Sequence, residues 1–194
     1  RKVTRYSSVP LLLGAGVIRP NGSRLNSAFV SDASGNICLT CRYDKHVLFP
    51  LGEYIPRPVA SWFPRSAGFS RGDRTEPLRV GRHRVLVSLC FEDLFPRWIN
   101  RSTRADHHLL VSLVDDQWFS GTVAPEFHFT MSKLRAVEQG RFLVRGTNSG
   151  ISGVVSPTGE VVVAMPEGQA ATAVARIAWM DSKTVYRRVG DVPW

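Results

Sequence analysis

The sequence holds only three cysteines and four lysines, and no glutamate before Glu53. Each shortage excludes something. Three cysteines cannot supply a framework of paired disulfides, so the fold must rest on its apolar core. Cys38 and Cys41 stand in CLTC, but one CxxC without a second pair does not make a zinc site. The flanks, NICLTCRY, have the composition of a strand, where residues three apart face opposite sides. The pair therefore reads as two half-buried strand cysteines, not as a metal or redox pair. No apolar run approaches the ~18 residues of a membrane-spanning helix. The opening RKVTRYSSVP shows no leader-peptide pattern and no initiating methionine.

What is present is ordinary globular material. The chain has 194 residues, 43 % of them hydrophobic and 21 % charged, enough for one domain with a sizeable core. The net charge of +9 favours anionic partners. The arginines are dispersed and no base-reading motif accompanies them, so nucleic acid is not expected as a partner.

The pattern along the chain predicts one α/β domain. Val9 to Ile18 reads as a buried strand, with a short strand near Ala28 to Val30 and another over Ile37 to Arg42. Turn signals at Asn21-Gly22 and Gly35-Asn36 make these antiparallel neighbours. Tyr43 to Gly81 has no sustained period and carries five prolines. It reads as a long ordered loop with one short helix near Val59 to Phe63, and loops of that length are uncommon unless functional. Its Trp62, Phe63 and Phe69 read as sealing the loop onto the core, with a lipid- or ligand-facing surface as the other use. HRVLVSLC, HHLLVSLV and FLVRGT have the near-continuous apolar character of strands covered on both faces. A turn and short helix are expected in FEDLFPRWIN. The clearest helix is PEFHFTMSKLRAVEQGR, with Phe127, Met131, Leu134 and Val137 at three-to-four spacing as its apolar face, Pro125 near its start and Gly140 near its end. A hairpin is expected around Pro157 to Gly159, and a late strand in TAVARIAWM. Trp98, Trp118, Trp179 and Trp194 read as packing residues, with Trp118 also able to line a cleft.

Cys90 closes its strand, and Phe91, Glu92 and Asp93 follow at once. A buried core thiol is the ordinary use of such a residue. A strand end is also where α/β sheets hold ligands, and a strand-to-helix turn can expose a nucleophile beside backbone N–H groups. A nucleophilic thiol needs a base or cation nearby. None of His46, His83, His107, His108 and His128 is placed compellingly. His107 and His108 precede a strand, which puts them at its other end. Lys45, with Glu53 behind it, competes for the role, since a lysine stabilises a thiolate and an oxyanion. Asp44 reads as a loop-organising carboxylate. Arg135 and Glu138, three apart on the helix, are expected to pair.

YDKHVLFPLGEYIP, VSLCFEDLFP and HFTMSKLRAVEQGRFLVRGTNSGISGVVSPTGE, in that order, resemble the nitrilase (carbon–nitrogen hydrolase) superfamily. GEYIP and the ending TVYRRVGDVPW are most similar to the periplasmic catalytic domain of the apolipoprotein N-acyltransferase branch. The resemblance runs from about Leu11 to Trp194. It implies a nitrilase-like four-layer α-β-β-α sandwich and a Glu-Lys-Cys triad, with Cys90 as nucleophile and Lys45 as the triad lysine. It implies further glutamates at Glu53 and Glu92 that build and polarise the pocket, and an oxyanion-binding backbone N–H near Phe91. Trp118, Phe119 and Asn148 match substrate-pocket positions. The implied reaction moves a phospholipid acyl chain through a cysteine thioester onto the N-terminal amine of a lipoprotein. No metal and no organic cofactor is implied. The implied location is the bacterial inner membrane, with this domain facing the periplasm.

Two features depart from the family pattern. The general-base glutamate should lie upstream of the lysine, yet Glu53, Glu76 and Glu92 all follow Lys45. The resemblance therefore implies that residues 1–194 are a partial domain with its active-site loop at 43–81. The base would lie on a missing N-terminal segment, together with membrane helices, and the chain alone would be impaired. Asp115 and Asp116 also replace a mostly neutral turn, and Glu126-Phe127 replaces a Trp-Gln pair. These leave open a soluble, cytoplasmic nitrilase-type amidohydrolase.

Overall fold

The structure, a computed structural model, describes residues 9–62, 68–74, 76–102 and 106–191. The chain divides into two compact units, Arg1–Thr75 and Glu76–Trp194.

The first unit is built on three antiparallel strands in the order β1 (Leu11–Ile18), β2 (Arg24–Ser31) and β3 (Ile37–Asp44). Gly22 sits at φ 81°, which lets the Asn21-Gly22 turn close with the Gly22 N–H donating to the Arg19 carbonyl at 2.8 Å. Asp32 organises the second turn, its carboxylate accepting from the Ser34 and Asn36 N–H groups. Leu25, Ala28, Phe29, Tyr43 and Leu48 are buried. The long segment after β3 folds back on it. Gly72 donates its N–H to the Lys45 carbonyl, and a Cβ at Gly72 would lie 2.4 Å from the Asp44 carbonyl oxygen, so only glycine allows that approach. A 3₁₀ helix over Arg57–Trp62 occupies the expected place. Trp62 is 75 % exposed, so it does not seal the loop; Phe69 is half-buried and bridges to Arg24, and Phe63 lies outside the described residues.

The cysteine pair departs from the expectation. Cys38 and Cys41 are disulfide-bonded and exposed, with Cα atoms 5.1 Å apart. A straight strand would hold residues three apart at roughly 10 Å. The register explains the difference: Ser31 pairs with Ile37 and Phe29 with Arg42, so residues 38–41 bulge opposite Val30 alone.

The second unit carries a six-stranded sheet in sequential order: β4 (Leu78–Val80), β5 (His83–Leu89), β6 (Leu109–Val114), β7 (Leu143–Thr147), β8 (Ser152–Val155) and β9 (Val161–Met165). The β5–β6 and β6–β7 pairs are parallel and the others antiparallel. The parallel strands are the near-continuous apolar runs, as burial on both faces requires. The expected hairpin is β8–β9. Helices α1 (Pro96–Ser102) and α2 (Ala124–Gln139) pack Ile99, Phe129 and Ala136 against Leu86, Leu110, Leu143 and Val155, with Trp98 at the edge. A short α3 (Val185–Val189) follows.

Three expectations fail in this unit. The apolar stripe of α2 faces outward: Phe127, Leu134 and Val137 are 59, 45 and 43 % exposed. The buried face is His128, Phe129, Ser132, Arg135, Ala136 and Gln139, because charged groups of the sheet lie beneath it. TAVARIAWM forms no strand; residues 172–178 are mostly exposed, and Met180 donates its N–H to the His108 carbonyl at 3.2 Å. Trp118 is 73 % exposed and does not pack, whereas Trp179 stacks on His83 at 4.0 Å and Trp194 lies outside the described residues. The end of α2 behaves as expected, with Gly140 left-handed at φ 59°.

The disulfide is open to a direct count. Under native, non-reducing conditions iodoacetamide should add to one cysteine, Cys90, and after reduction and unfolding to three. Three additions before reduction would contradict the Cys38–Cys41 bond.

Candidate functional site

Two clusters of functional side chains stand out, one in each unit. In the first unit Lys45 directly follows β3 and is 1 % exposed. Its ammonium pairs with Glu53 Oε2 at 2.7 Å. The same oxygen accepts from the Phe49 N–H at 2.7 Å, and Asn26 Nδ2 donates to Oε1 at 3.1 Å. Asn26 also accepts the Lys45 N–H on its backbone carbonyl, so it holds both partners of the pair. The neighbouring Asp44, the last residue of β3, is buried and accepts from Ser27 Oγ at 2.6 Å and Arg42 Nε at 2.7 Å, both on strands, so these hydrogen bonds organise the sheet and not the loop as expected.

In the second unit β5 ends at Leu89, and Cys90 opens a 3₁₀ turn over Cys90–Leu94. Cys90 sits at φ 51°, one of two non-glycine residues with positive φ among the described residues. That conformation costs roughly 1–2 kcal/mol and must be held by its surroundings. Glu92, fully buried, accepts the Leu89 N–H on Oε2 at 2.8 Å and so ties the turn back to the strand. Phe91 lays its ring against Phe95 at 4.9 Å. The half-buried thiol lies 3.9 Å from the carbonyl oxygen of Asp115, at the end of the adjacent strand. The Asp115 carboxylate accepts from Asn148 Nδ2 at 2.6 Å, joining the loop after β7. Trp118 and Phe119 stand in the 3₁₀ turn after β6. The carboxyl ends of three parallel strands thus gather Cys90, Asp115 and Asn148. His107 and His108 lie at the opposite end of β6, as expected, and His108 accepts the Arg84 N–H.

Beneath this end lies a buried chain of charges. Asp93 Oδ1 meets His128 Nε2 at 2.7 Å, and Asp116 Oδ1 meets His128 Nδ1 at 2.9 Å. Arg145 donates to Asp93 Oδ2 at 3.2 Å and to Asp116 Oδ2 at 2.9 Å. Ser112 and Ser132 hydroxyls each donate to Asp93 at 2.7 Å. Arg135 donates to the Asp93 carbonyl and pairs with Glu138. Carboxylates only accept, so both ring nitrogens of His128 carry protons. Burial works against a charged ring, but its hydrogen bonds to Asp116 and Asp93 prevail and push its pKa up to about 9. Burial likewise opposes the Asp93 charge, and His128 and Arg145 outweigh it, holding that carboxyl below its ordinary value. Among the described residues no cluster of His, Cys, Asp and Glu could hold a metal ion.

Sequence reasoning placed Cys90 and Lys45 at element ends, Glu92 and Asn148 just after strands, and Glu53 within the long loop. It missed Asn26, His128 and Arg145, and saw in Asp116 only a departure from a mostly neutral turn. The one available signal was polar residues at three-to-four spacing on α2, His128, Ser132 and Arg135, opposite the apolar stripe.

A thiol on a left-handed residue at the carboxyl end of a parallel strand stands where α/β enzymes hold their ligands. The chain belongs to the carbon–nitrogen hydrolase family, whose model matches residues 9–186. It is 36 % identical over 160 residues to the apolipoprotein N-acyltransferase of Photobacterium profundum, covering 78 % of this chain and 31 % of that protein. It is 33 % identical over 176 residues to the same enzyme of Shewanella oneidensis, covering 87 % and 33 %. The chain spans about a third of the length of these curated relatives. Solved structures fix the fold class as the nitrilase-like α-β-β-α sandwich. A carbon–nitrogen hydrolase from Helicobacter pylori G27 superposes at TM-score 0.65 with 17 % identity, covering 86 % of this chain and 61 % of that one. A mutant amidase from Nesterenkonia sp. AN1, with acrylamide added at its active-site cysteine, superposes at 0.60 with 20 % identity, covering 84 % and 61 %. Among the described residues no helix is long and apolar enough to cross a membrane.

The raised pKa of His128 makes stability pH-dependent with a definite sign. Its contribution is complete below the unfolded value near 6.5 and is lost as pH rises through about 9. Thermal unfolding midpoints should fall between pH 7 and 10 in the wild type, and fall less in His128→Gln. Parallel pH curves for the two proteins would contradict the assignment.

Proposed function

We propose that this chain carries the thiol chemistry of an apolipoprotein N-acyltransferase. The observation that supports it most is Cys90 itself, a half-buried thiol on a positive-φ residue where strand gives way to turn. In this reading the Cys90 thiolate attacks the ester carbonyl of a phospholipid acyl chain. A tetrahedral oxyanion forms, the carbon–oxygen bond breaks, and the leaving lysophospholipid oxygen takes up the proton that the thiol gave to the general base. The acyl group remains as a thioester. The N-terminal amine of a lipoprotein then attacks, the thiol departs, and an amide is formed, a ping-pong course.

Lys45 is the oxyanion-stabilising cation, oriented by Glu53, and the Phe91 backbone N–H assists. Glu92 maintains the nucleophile turn. Trp118, Phe119 and Asn148 contact substrate, and the exposed Trp118 indole suits an acyl chain. The general-base glutamate of the family has no counterpart in residues 1–44, which contain no glutamate. In this reading the base comes from a part of the relatives' length that this chain does not span, which also carries membrane helices and sets this part at the periplasmic face of the inner membrane. Acylation by this chain alone is slow and depends on an activated ester. The reaction calls for no metal or organic cofactor.

Intact-mass measurement after exposure to a long-chain p-nitrophenyl ester tests this reading. One acyl adduct is expected on the wild type and none on Cys90→Ala, with faster acylation in a longer chain that includes the upstream segment. Added peptide amine should discharge the adduct as amide. Discharge to free acid alone would favour a soluble amidohydrolase, and no adduct on either length would overturn the thiol mechanism.

A further inference from the structure

We propose that His128 is a positioning residue for Cys90: it clamps Asp93, in the nucleophile turn, to Asp116, in the turn whose preceding carbonyl faces the thiol. The proposal rests on the reading of Cys90 as nucleophile, and it adds a residue that touches neither the thiol nor the acyl group.

The geometry is specific. Asp93 lies three residues after Cys90 in the same 3₁₀ turn. Asp116 directly follows Asp115, whose carbonyl oxygen is 3.9 Å from the Cys90 sulfur. No backbone hydrogen bond between these two turns is needed if one side chain spans them, and the imidazolium does so at 2.7 and 2.9 Å. The groups facing His128 come from each packed element: Asp93 from the turn after β5, Asp116 from the turn after β6, and Arg145 from β7 behind both carboxylates. Two carboxylates and two cations make this chain neutral. Without His128 it holds one uncompensated negative charge beneath the thiol. That charge disfavours a thiolate above it and pushes the two turns apart. Gly150 backs the arrangement, since a Cβ there would stand 2.2 Å from Asp116 Oδ2. The strained φ of Cys90 needs such a fixed surround.

The design of the test follows from the hydrogen bonds. In His128→Gln the amide N–H₂ can donate to one carboxylate, but its oxygen then faces the other. Adding Asp116→Asn gives that oxygen a donor and restores neutrality with Arg145. Three proteins, wild type, H128Q and H128Q/D116N, would be compared in single-turnover acylation of Cys90 by the p-nitrophenyl ester, after circular dichroism confirms folding. The saturating rate in H128Q should fall roughly 30-fold or more, with the half-saturating ester concentration within about threefold of wild type, because misplacement affects the reacting geometry and not binding. The double variant should recover at least about tenfold of that loss. A folded H128Q that acylates at the wild-type rate would overturn the proposal. So would a folded double variant no faster than H128Q. If H128Q does not fold, the double variant decides alone, and a rate ~30-fold or more below wild type counts against the proposal.

If this chain does not react with the ester, the three proteins are compared in the longer chain that includes the upstream segment; if neither length reacts, the acyl-transfer reading fails and a second arm still decides the role of His128. Iodoacetamide alkylation of Cys90, without reductant so that Cys38 and Cys41 remain bonded, would be followed against pH. The midpoint should rise by about half a unit in H128Q and return in the double variant. Identical midpoints in all three proteins would overturn the proposal.

Discussion

One interaction organises the second unit: the neutral, buried chain Asp93–His128–Asp116–Arg145. Removing charges from water is costly, and a buried set persists only when each charge is matched and hydrogen-bonded. Here every carboxylate oxygen of Asp93 and Asp116 is engaged. The consequences run outward. Helix α2 must turn its polar face inward, which leaves Phe127, Leu134 and Val137 exposed. The ends of β5, β6 and β7 are held together by side chains where ladder bonds stop. Cys90 can then occupy a strained turn that would relax in a looser setting.

The first unit uses a smaller version of the same principle. Lys45 is buried and paired with Glu53, which is in turn fixed by Asn26 and a backbone N–H. A buried lysine held in this way keeps its side chain in one place, since leaving the pair would strand a charge away from water. Both clusters grow from strand ends, where backbone hydrogen bonding gives way to side-chain chemistry.

Much of this was legible in the sequence, for identifiable reasons. The parallel strands could be read because burial on both faces leaves unbroken apolar runs. The turns at Gly22 and Gly140 could be read because positive φ selects glycine. Cys90 and Lys45 stood out by position at element ends. Other features were hidden because they depend on partners far away in the chain. The α2 stripe obeyed helical period but named the wrong face, since period alone cannot tell an apolar floor from a charged one. The CLTC pair lies in β3, as its composition suggested, but only the β2 register reveals the bulge that brings the two cysteines together. TAVARIAWM has strand composition, yet a strand needs a ladder to a neighbour, and among the described residues the segment forms none. The role of His128 required Asp93 and Asp116, 35 and 12 residues away.

The protonation of His128 carries the whole arrangement, and it can be observed directly. ¹⁵N-labelled imidazole resonances at pH 7 should show both ring nitrogens of His128 protonated, with the transition to a neutral ring near pH 9. A neutral ring at pH 7, with one bare nitrogen, would leave two carboxylates facing a lone pair and would contradict the account.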